Sequence, residues 1–408
     1  MATTLLGTAT PASAADSSSP CTLGYTLGDT AFQVPGFHTE DQNRLQDIEL
    51  TATVHIPRHV TRGVHPLVML LHGMWETCAD RVAEKDVAAA EADMNRPDAT
   101  QQEKDRDAVI IRSAAAKLQA WPCASRTPPL PSYRGYDYLG TVLADQGFVV
   151  VSVSANGINA GELGNPPYDA RMALLNKHLA MWQQFVTNGT GELAGKLPEE
   201  LRGHVDMNNV GLLGHSRGGQ GVMWQAADAH RDRRPAGVTV KAIVPLAPAF
   251  NDGVGGEDFN QNVRVTDIPF MTVMGACDYA VGLAGRNYAD IAEGRNTAPI
   301  TELTLHGANH NFFNTQWSPA GGQVAASDDI DTPDPRAPHR SGPGRCYTSD
   351  KTHQDQRQLG EQEQRGLAGF YISAFFQRYL NGNTELEPVL TGEAAVPGVD
   401  VTYLAPQS

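Results

Sequence analysis

Ser216 lies in the run Gly214-His215-Ser216-Arg217-Gly218-Gly219, which directly follows the apolar stretch Val210-Gly211-Leu212-Leu213 and directly precedes a helical pattern. A serine hydroxyl is a weak nucleophile at neutral pH and needs a histidine to take its proton and a carboxylate to hold that histidine. A sharp strand-to-helix turn supplies the other requirement. It forces its central residue into a strained backbone conformation and lifts the hydroxyl above the sheet. Glycine is expected at 214 and 218 because side chains there would collide with the turn and the helix. Gly219 lets the helix pack closely, and the helix N-terminus adds a field that favours developing negative charge. Gly-x-Ser-x-Gly alone recurs by chance; its place between a buried strand and a helix makes Ser216 the candidate nucleophile.

With this segment the chain resembles the α/β-hydrolase superfamily over most of residues 45–382. Gly-His-Ser-Arg-Gly-Gly is similar to the chlorophyllase-like branch, and the layout to secreted bacterial cutinase-like and platelet-activating-factor-acetylhydrolase-like esterases. The resemblance implies a His-Gly segment closing the first buried parallel strand, found here as Leu70-Leu71-His72-Gly73-Met74-Trp75. It further implies an oxyanion hole built from the backbone N–H groups of Met74 and Arg217. Backbone donors suit that task because they are rigid and already oriented. The order of residues implied is serine, acid, histidine. Asp278 follows the strand Phe270-Met271-Thr272-Val273-Met274, and His310 follows the last strand in His306-Gly307-Ala308-Asn309-His310. Asp252 and Asp258 compete for the acid's role from the preceding strand, and His306 for the base's; His215 is expected to flank the nucleophile without taking part.

Trp75, Phe312, Phe313 and Trp317 stand beside these segments and are candidates to wall an acyl or alcohol pocket, with plain packing as the alternative. The Arg217 side chain either binds an anionic group or pairs with a nearby acid, the second being commoner. Asp328, Asp329, Asp331 and Asp334 cluster in a late stretch without the spacing of an EF-hand, and read as a solvated acidic loop. No Cys-x-x-Cys or histidine-rich cluster occurs, so a structural zinc site has little support, and the serine mechanism requires neither metal nor organic cofactor. Asn188-Gly189-Thr190 is a glycosylation sequon, meaningful only in a host that modifies exported proteins.

Positioning such residues requires a particular scaffold. His65–Leu71, Phe148–Val153, Val210–Leu213, Ala242–Leu246, Phe270–Met274 and Ile300–Leu305 are continuous apolar runs, as in strands buried on both faces. Asp47–Ile56 alternates, as in a half-buried strand, and a short strand is expected near Ala31–Val34. Helical patterns cover Met172–Val186, Gly219–His230 and Gly366–Leu380. Alternating strands and helices predict an α/β fold: a mostly parallel central sheet with helices on both faces, the chemistry lying at the carboxyl ends of the strands. Two long insertions break the rhythm, about 76–133 (charged, alanine-rich, then proline-rich) and 315–353 (rich in Gly, Pro and Asp). They are expected at the edge of the active site or as solvated decoration. The expected layout is a signal remnant and disordered N-terminus over 1–21, one catalytic domain over 22–385, and a C-terminal tail over 386–408.

The 408 residues carry a net charge of -15 at 41% hydrophobic and 19% charged content. That supports a sizeable core and argues against nucleic acid or anionic lipid as partner. No apolar run reaches the roughly 18 residues of a membrane span. Ala12-Ser13-Ala14 resembles a signal-peptide cleavage site, which points to secretion. For an exported chain with five cysteines the preferred pairing is Cys78–Cys123 and Cys277–Cys346, with Cys21 left over, although spacing alone leaves the connectivity open. The expectation is a secreted, monomeric serine esterase acting on a small-molecule or polymeric ester. A peptidase or amidase on the same scaffold, or a non-catalytic binding protein, are the alternatives.

Overall fold

The computed structural model describes residues 20–162, 167–250, 256–321, 342, 344–394 and 396–407. Ala12-Ser13-Ala14, Asp252 and the cluster Asp328 to Asp334 lie outside the described residues.

Nine strands form one sheet: β1 (Cys21–Thr26), β2 (Thr51–Ile56), β3 (His65–Leu71), β4 (Val149–Val153), β5 (Val205–His215), β6 (Val240–Leu246), β7 (Phe270–Gly275), β8 (Ile300–Leu305) and β11 (Val399–Leu404). Their order is β1-β2-β4-β3-β5-β6-β7-β8-β11. From β4 to β8 every neighbouring pair is parallel, while β1, β2 and β11 pair antiparallel at the two edges. Two further strands, β9 (Arg345–Tyr347) and β10 (Asp355–Arg357), make a separate hairpin.

The continuous apolar runs follow from burial on both faces. In β3, Leu67, Met69 and Leu71 enter one core and Val68 and Leu70 the other. The first core is closed by α5 (Tyr168–Asn188) and α6 (Arg217–Ala226), with α7 (Gly256–Val263) and α8 (Arg286–Ala292). The second is closed by α3 (Asp137–Asp145) and α9 (Glu361–Leu380), whose Tyr371, Ile372, Phe375 and Phe376 are essentially inaccessible. Each such side chain removed from water contributes roughly 1.5–3 kcal/mol. The alternation of β-carbons across a pleated strand therefore builds two cores from one strand. A short helix, α4 (Asn156–Gly161), leaves the carboxyl end of β4.

Three segments depart from the sequence-based expectation. Residues 76–133 contain two packed helices, α1 (Arg81–Met94) and α2 (Gln101–Leu118), rather than an extended loop. Alanine, glutamate and lysine are strong helix formers, and the caps were written in the chain. The Asp80 carboxylate accepts from the Val82 and Ala83 N–H groups, and Thr100 with Glu103 forms a capping box. The N-terminal strand is Cys21–Thr26, while Phe32 makes only an isolated bridge to Ile48. Residues 386–408, expected as a tail, instead supply α10 (Glu387–Thr391) and β11. Strand β11 covers the outer edge of β8, which would otherwise expose unpaired backbone groups.

Cys78–Cys123 and Cys277–Cys346 lie at disulfide distance, with Cα–Cα separations of 5.6 and 6.1 Å, and Cys21 is exposed and unpaired. Among the described residues no helix is long and apolar enough to cross a membrane.

Candidate active site

Strand β3 sits between β4 and β5, so the strand order reverses at its carboxyl end, the position where open α/β sheets form a crevice. His72 and Gly73 leave β3 there, and Ser216 leaves the adjacent β5.

Ser216 adopts φ 57°, ψ −124°, a left-handed conformation rare for a residue with a β-carbon. The surroundings hold it. Its N–H donates to the Leu246 carbonyl (2.9 Å), and its carbonyl accepts from the Ala249 (3.1 Å) and Gln220 (3.2 Å) N–H groups. The turn closes only because its flanks lack side chains: a β-carbon on Gly214 would lie 2.0 Å from the Gly218 carbonyl oxygen, and one on Gly218 2.2 Å from that of Leu71. Arg217 opens α6, so its N–H belongs to the first turn, whose donors have no carbonyl partner within the helix.

Asp278 and His310 stand on neighbouring loops at the ends of β7 and β8. The two loops are joined by the Cys277 N–H donating to the Ala308 carbonyl (2.9 Å). Asp278 is inaccessible to solvent. Its Oδ1 accepts from the Ala280 (2.9 Å) and Val281 (3.0 Å) N–H groups, and its Oδ2 lies 2.8 Å from His310 Nδ1. That contact directs Nδ1 to the carboxylate and turns Nε2 to the other side of the ring. Gln364 of α9 clamps the backbone before His310: its Oε1 accepts from the Asn309 N–H (2.9 Å) and its Nε2 donates to the Asn309 carbonyl (2.8 Å). The His310 ring packs 4.8 Å from the ring of His215, the residue immediately before Ser216. The structure thus brings Asp278, His310 and the Ser216 turn together from three strand ends. The competitors stay apart: exposed His306 pairs with Asp400 of β11 (2.8 Å), and Asp258 lies exposed on α7.

The His72-Gly73-Met74 segment lies against Ser216. A β-carbon on Gly73 would approach Ser216 Cβ to 2.6 Å and Ser216 Oγ to 3.2 Å. Burial depresses the His72 pKa to about 3, so the ring is neutral. Its Nε2 accepts from the Ala155 N–H (2.8 Å), which puts the proton on Nδ1, where it is donated to the Gly73 carbonyl (2.8 Å). His215, also deeply buried, is held neutral chiefly by desolvation; its Nδ1 lies 3.0 Å from the Tyr136 hydroxyl.

Of the aromatic residues expected around a pocket, Trp75 is half-buried, whereas Phe312, Phe313 and Trp317 are fully buried. Trp317 stacks on Trp75 (5.2 Å) and packs against His215 (4.8 Å), with its Nε1–H donating to Ser132 Oγ (2.9 Å). Phe313 meets the His215 ring edge-on at 5.8 Å. The Arg217 guanidinium pairs with Glu162 (3.3 Å), the commoner of its two expected roles.

Several site residues had drawn no notice in the chain. Asn159 and Glu162 lie on and just beyond α4, and Arg171 on α5. Their signal was position: the Asn156–Glu162 stretch follows the carboxyl end of a buried parallel strand, where site residues gather. Glu76, two residues past Met74, is another. Burial and the neighbouring Glu84 push its carboxyl up to about 7, against the pull of Arg81. Among the described residues no group of three or more His, Cys, Asp or Glu side chains is arranged to hold a metal ion.

No known family model matches the chain, and no curated protein is found to be related to it.

Proposed function

We propose that this chain is a secreted serine hydrolase of the α/β-hydrolase type that cleaves carboxylic esters through an acyl-enzyme. The observation that carries the reading is the 2.8 Å contact of His310 Nδ1 with a buried Asp278 carboxylate, on an imidazole packed against the residue preceding a strained, helix-capping Ser216.

In this reading His310 Nε2 takes the proton of Ser216 Oγ as that oxygen bonds to the ester carbonyl carbon. The negative charge moves to the carbonyl oxygen, where the Met74 and Arg217 N–H groups stabilise it. Collapse of the intermediate breaks the bond to the alkoxy oxygen, which receives the proton from His310. Water then repeats the sequence on the acyl-enzyme and releases the acid. Asp278 fixes the tautomer and orientation of His310 and stabilises the imidazolium that forms. Secretion fits the two cysteine pairs at bonding distance, which persist in oxidising compartments.

The test is labelling by a fluorophosphonate probe together with turnover of nitrophenyl esters and of matched amides. Ser216→Ala is expected to abolish both labelling and ester turnover. Turnover that survives Ser216→Ala would overturn the mechanism, and comparable amide turnover would favour a peptidase or amidase.

A further inference from the structure

We propose that Asn159, held by Arg171 and Glu162, is a positioning residue that aims the Met74 N–H at the developing oxyanion; the inference rests on the reading of Ser216 as an acylating nucleophile. The peptide between Gly73 and Met74 is trans, so its carbonyl and its N–H point in opposite directions. Whatever holds the Gly73 carbonyl therefore aims the Met74 N–H. Two donors hold it on one side: His72 Nδ1 (2.8 Å) and Asn159 Nδ2 (3.0 Å). Asn159 Nδ2 also reaches the Trp75 carbonyl (3.4 Å), so one side-chain amide grips the backbone on both sides of Met74. The Met74 N–H itself has no protein acceptor among the described residues.

Asn159 is fully buried, and its amide faces only one way. Its Oδ1 accepts from Arg171 Nη2 (2.8 Å), which requires Nδ2 to face the Gly73 carbonyl. Arg171, inaccessible to solvent, also donates to the His72 carbonyl (3.3 Å) and pairs with Glu162. The second oxygen of Glu162 lies 3.3 Å from Arg217 Nε, at an ion-pair distance without hydrogen-bond alignment. One buried relay thus connects the two residues whose N–H groups would form the oxyanion hole: Met74 through Asn159 and Arg171, and Arg217 directly. No member of the relay has to touch the substrate to act.

Asn159→Asp keeps the size of the side chain and its pairing with Arg171 but replaces the donor with an acceptor facing the Gly73 carbonyl. Asn159→Ala leaves space in which water can restore that hydrogen bond. The expected order of kcat is wild type, then Ala about 10-fold lower, then Asp about 100-fold lower or more, with KM within about threefold throughout. Affinity for phenylboronic acid, whose serine adduct carries the same tetrahedral charge, should fall in parallel. A merely structural role leaves kcat and boronate affinity of the folded protein near the wild-type values in both variants and shows only as lowered stability, which their melting temperatures report separately. A wild type active through Ser216, with kcat and boronate affinity unchanged in Asn159→Asp and Asn159→Ala, would overturn this inference and leave the esterase reading standing. A wild type without Ser216-dependent labelling or turnover would overturn both.

Discussion

Gly73→Ala places a methyl group where there is no room for one. Its carbon would lie 2.6 Å from Ser216 Cβ and 2.7 Å from the His215 carbonyl oxygen. Carbon atoms in good contact stand about 3.5–4.0 Å apart, so roughly 1 Å must be found. The Ser216 side cannot give it. His215 pairs with Leu246 across the sheet, and the Ser216 N–H is bonded to the Leu246 carbonyl. The His72–Met74 segment must move instead, carrying the Met74 N–H with it. Losing one oxyanion donor costs about 2.7–4 kcal/mol of transition-state stabilisation, or a factor of about 10²–10³ in kcat. Overpacking would also lower stability by about 1–3 kcal/mol. The assay is steady-state turnover of a soluble aryl ester, with calorimetry on the same preparations. Gly366→Ala, on the open side of α9 where a methyl group meets nothing within 4 Å, is the control and should keep full activity. A Gly73→Ala protein with kcat within about threefold of wild type and an unchanged melting temperature would refute the placement of this loop against Ser216.

Two further outcomes follow from the site. Asp278→Asn retains the shape of the side chain but no longer enforces the His310 tautomer, and kcat should fall by about 10⁴ with the melting temperature little changed; a loss under tenfold would remove Asp278 from the acid's role. Glu76 bears on pH and stability. Because its carboxyl is raised to about 7 in the folded chain from an ordinary 4.5, the folded state holds the proton more tightly than the unfolded one. Its contribution is fully present below pH 4.5 and is lost as pH rises through 7. Urea unfolding should therefore show wild type losing about 3 kcal/mol relative to Glu76→Gln between pH 4.5 and pH 8.5, and parallel stability curves for the two proteins would count against that environment.

The order of strands along the chain, the strained turn at Ser216 and the strand-end placement of Asp278 and His310 were legible because each depends on local pattern. Apolar runs of five to seven residues mark strands buried on both faces, and glycines flanking a serine after such a run mark a turn that no bulkier residue could make. Helices α1 and α2 were also written in the chain through their caps at Asp80 and Thr100, although charge and proline content had suggested only a long insertion. The strand at Val399–Leu404 was not legible in the same way. Six residues with every other one half-buried carry a weak signal, and their pairing with Ile300–Leu305 is a contact across about 95 residues of chain that only the exposed edge of β8 selects.

The relay behind Met74 shows the same division more sharply. The resemblance that the sequence carries implied a backbone donor after His72-Gly73, and the local pattern placed that segment at a strand end. The sequence did not determine what would aim that donor, since Asn159, Glu162 and Arg171 lie 85 to 97 residues beyond Met74 and have neighbours that do not mark them out. Only the parallel pairing of β3 with β4 lays α4 beside the His72–Met74 segment, and only the packing of α5 beneath it brings the Arg171 guanidinium to the Asn159 amide. Hydrogen bonds between buried side chains are set by three-dimensional proximity, which a local pattern of residues does not encode.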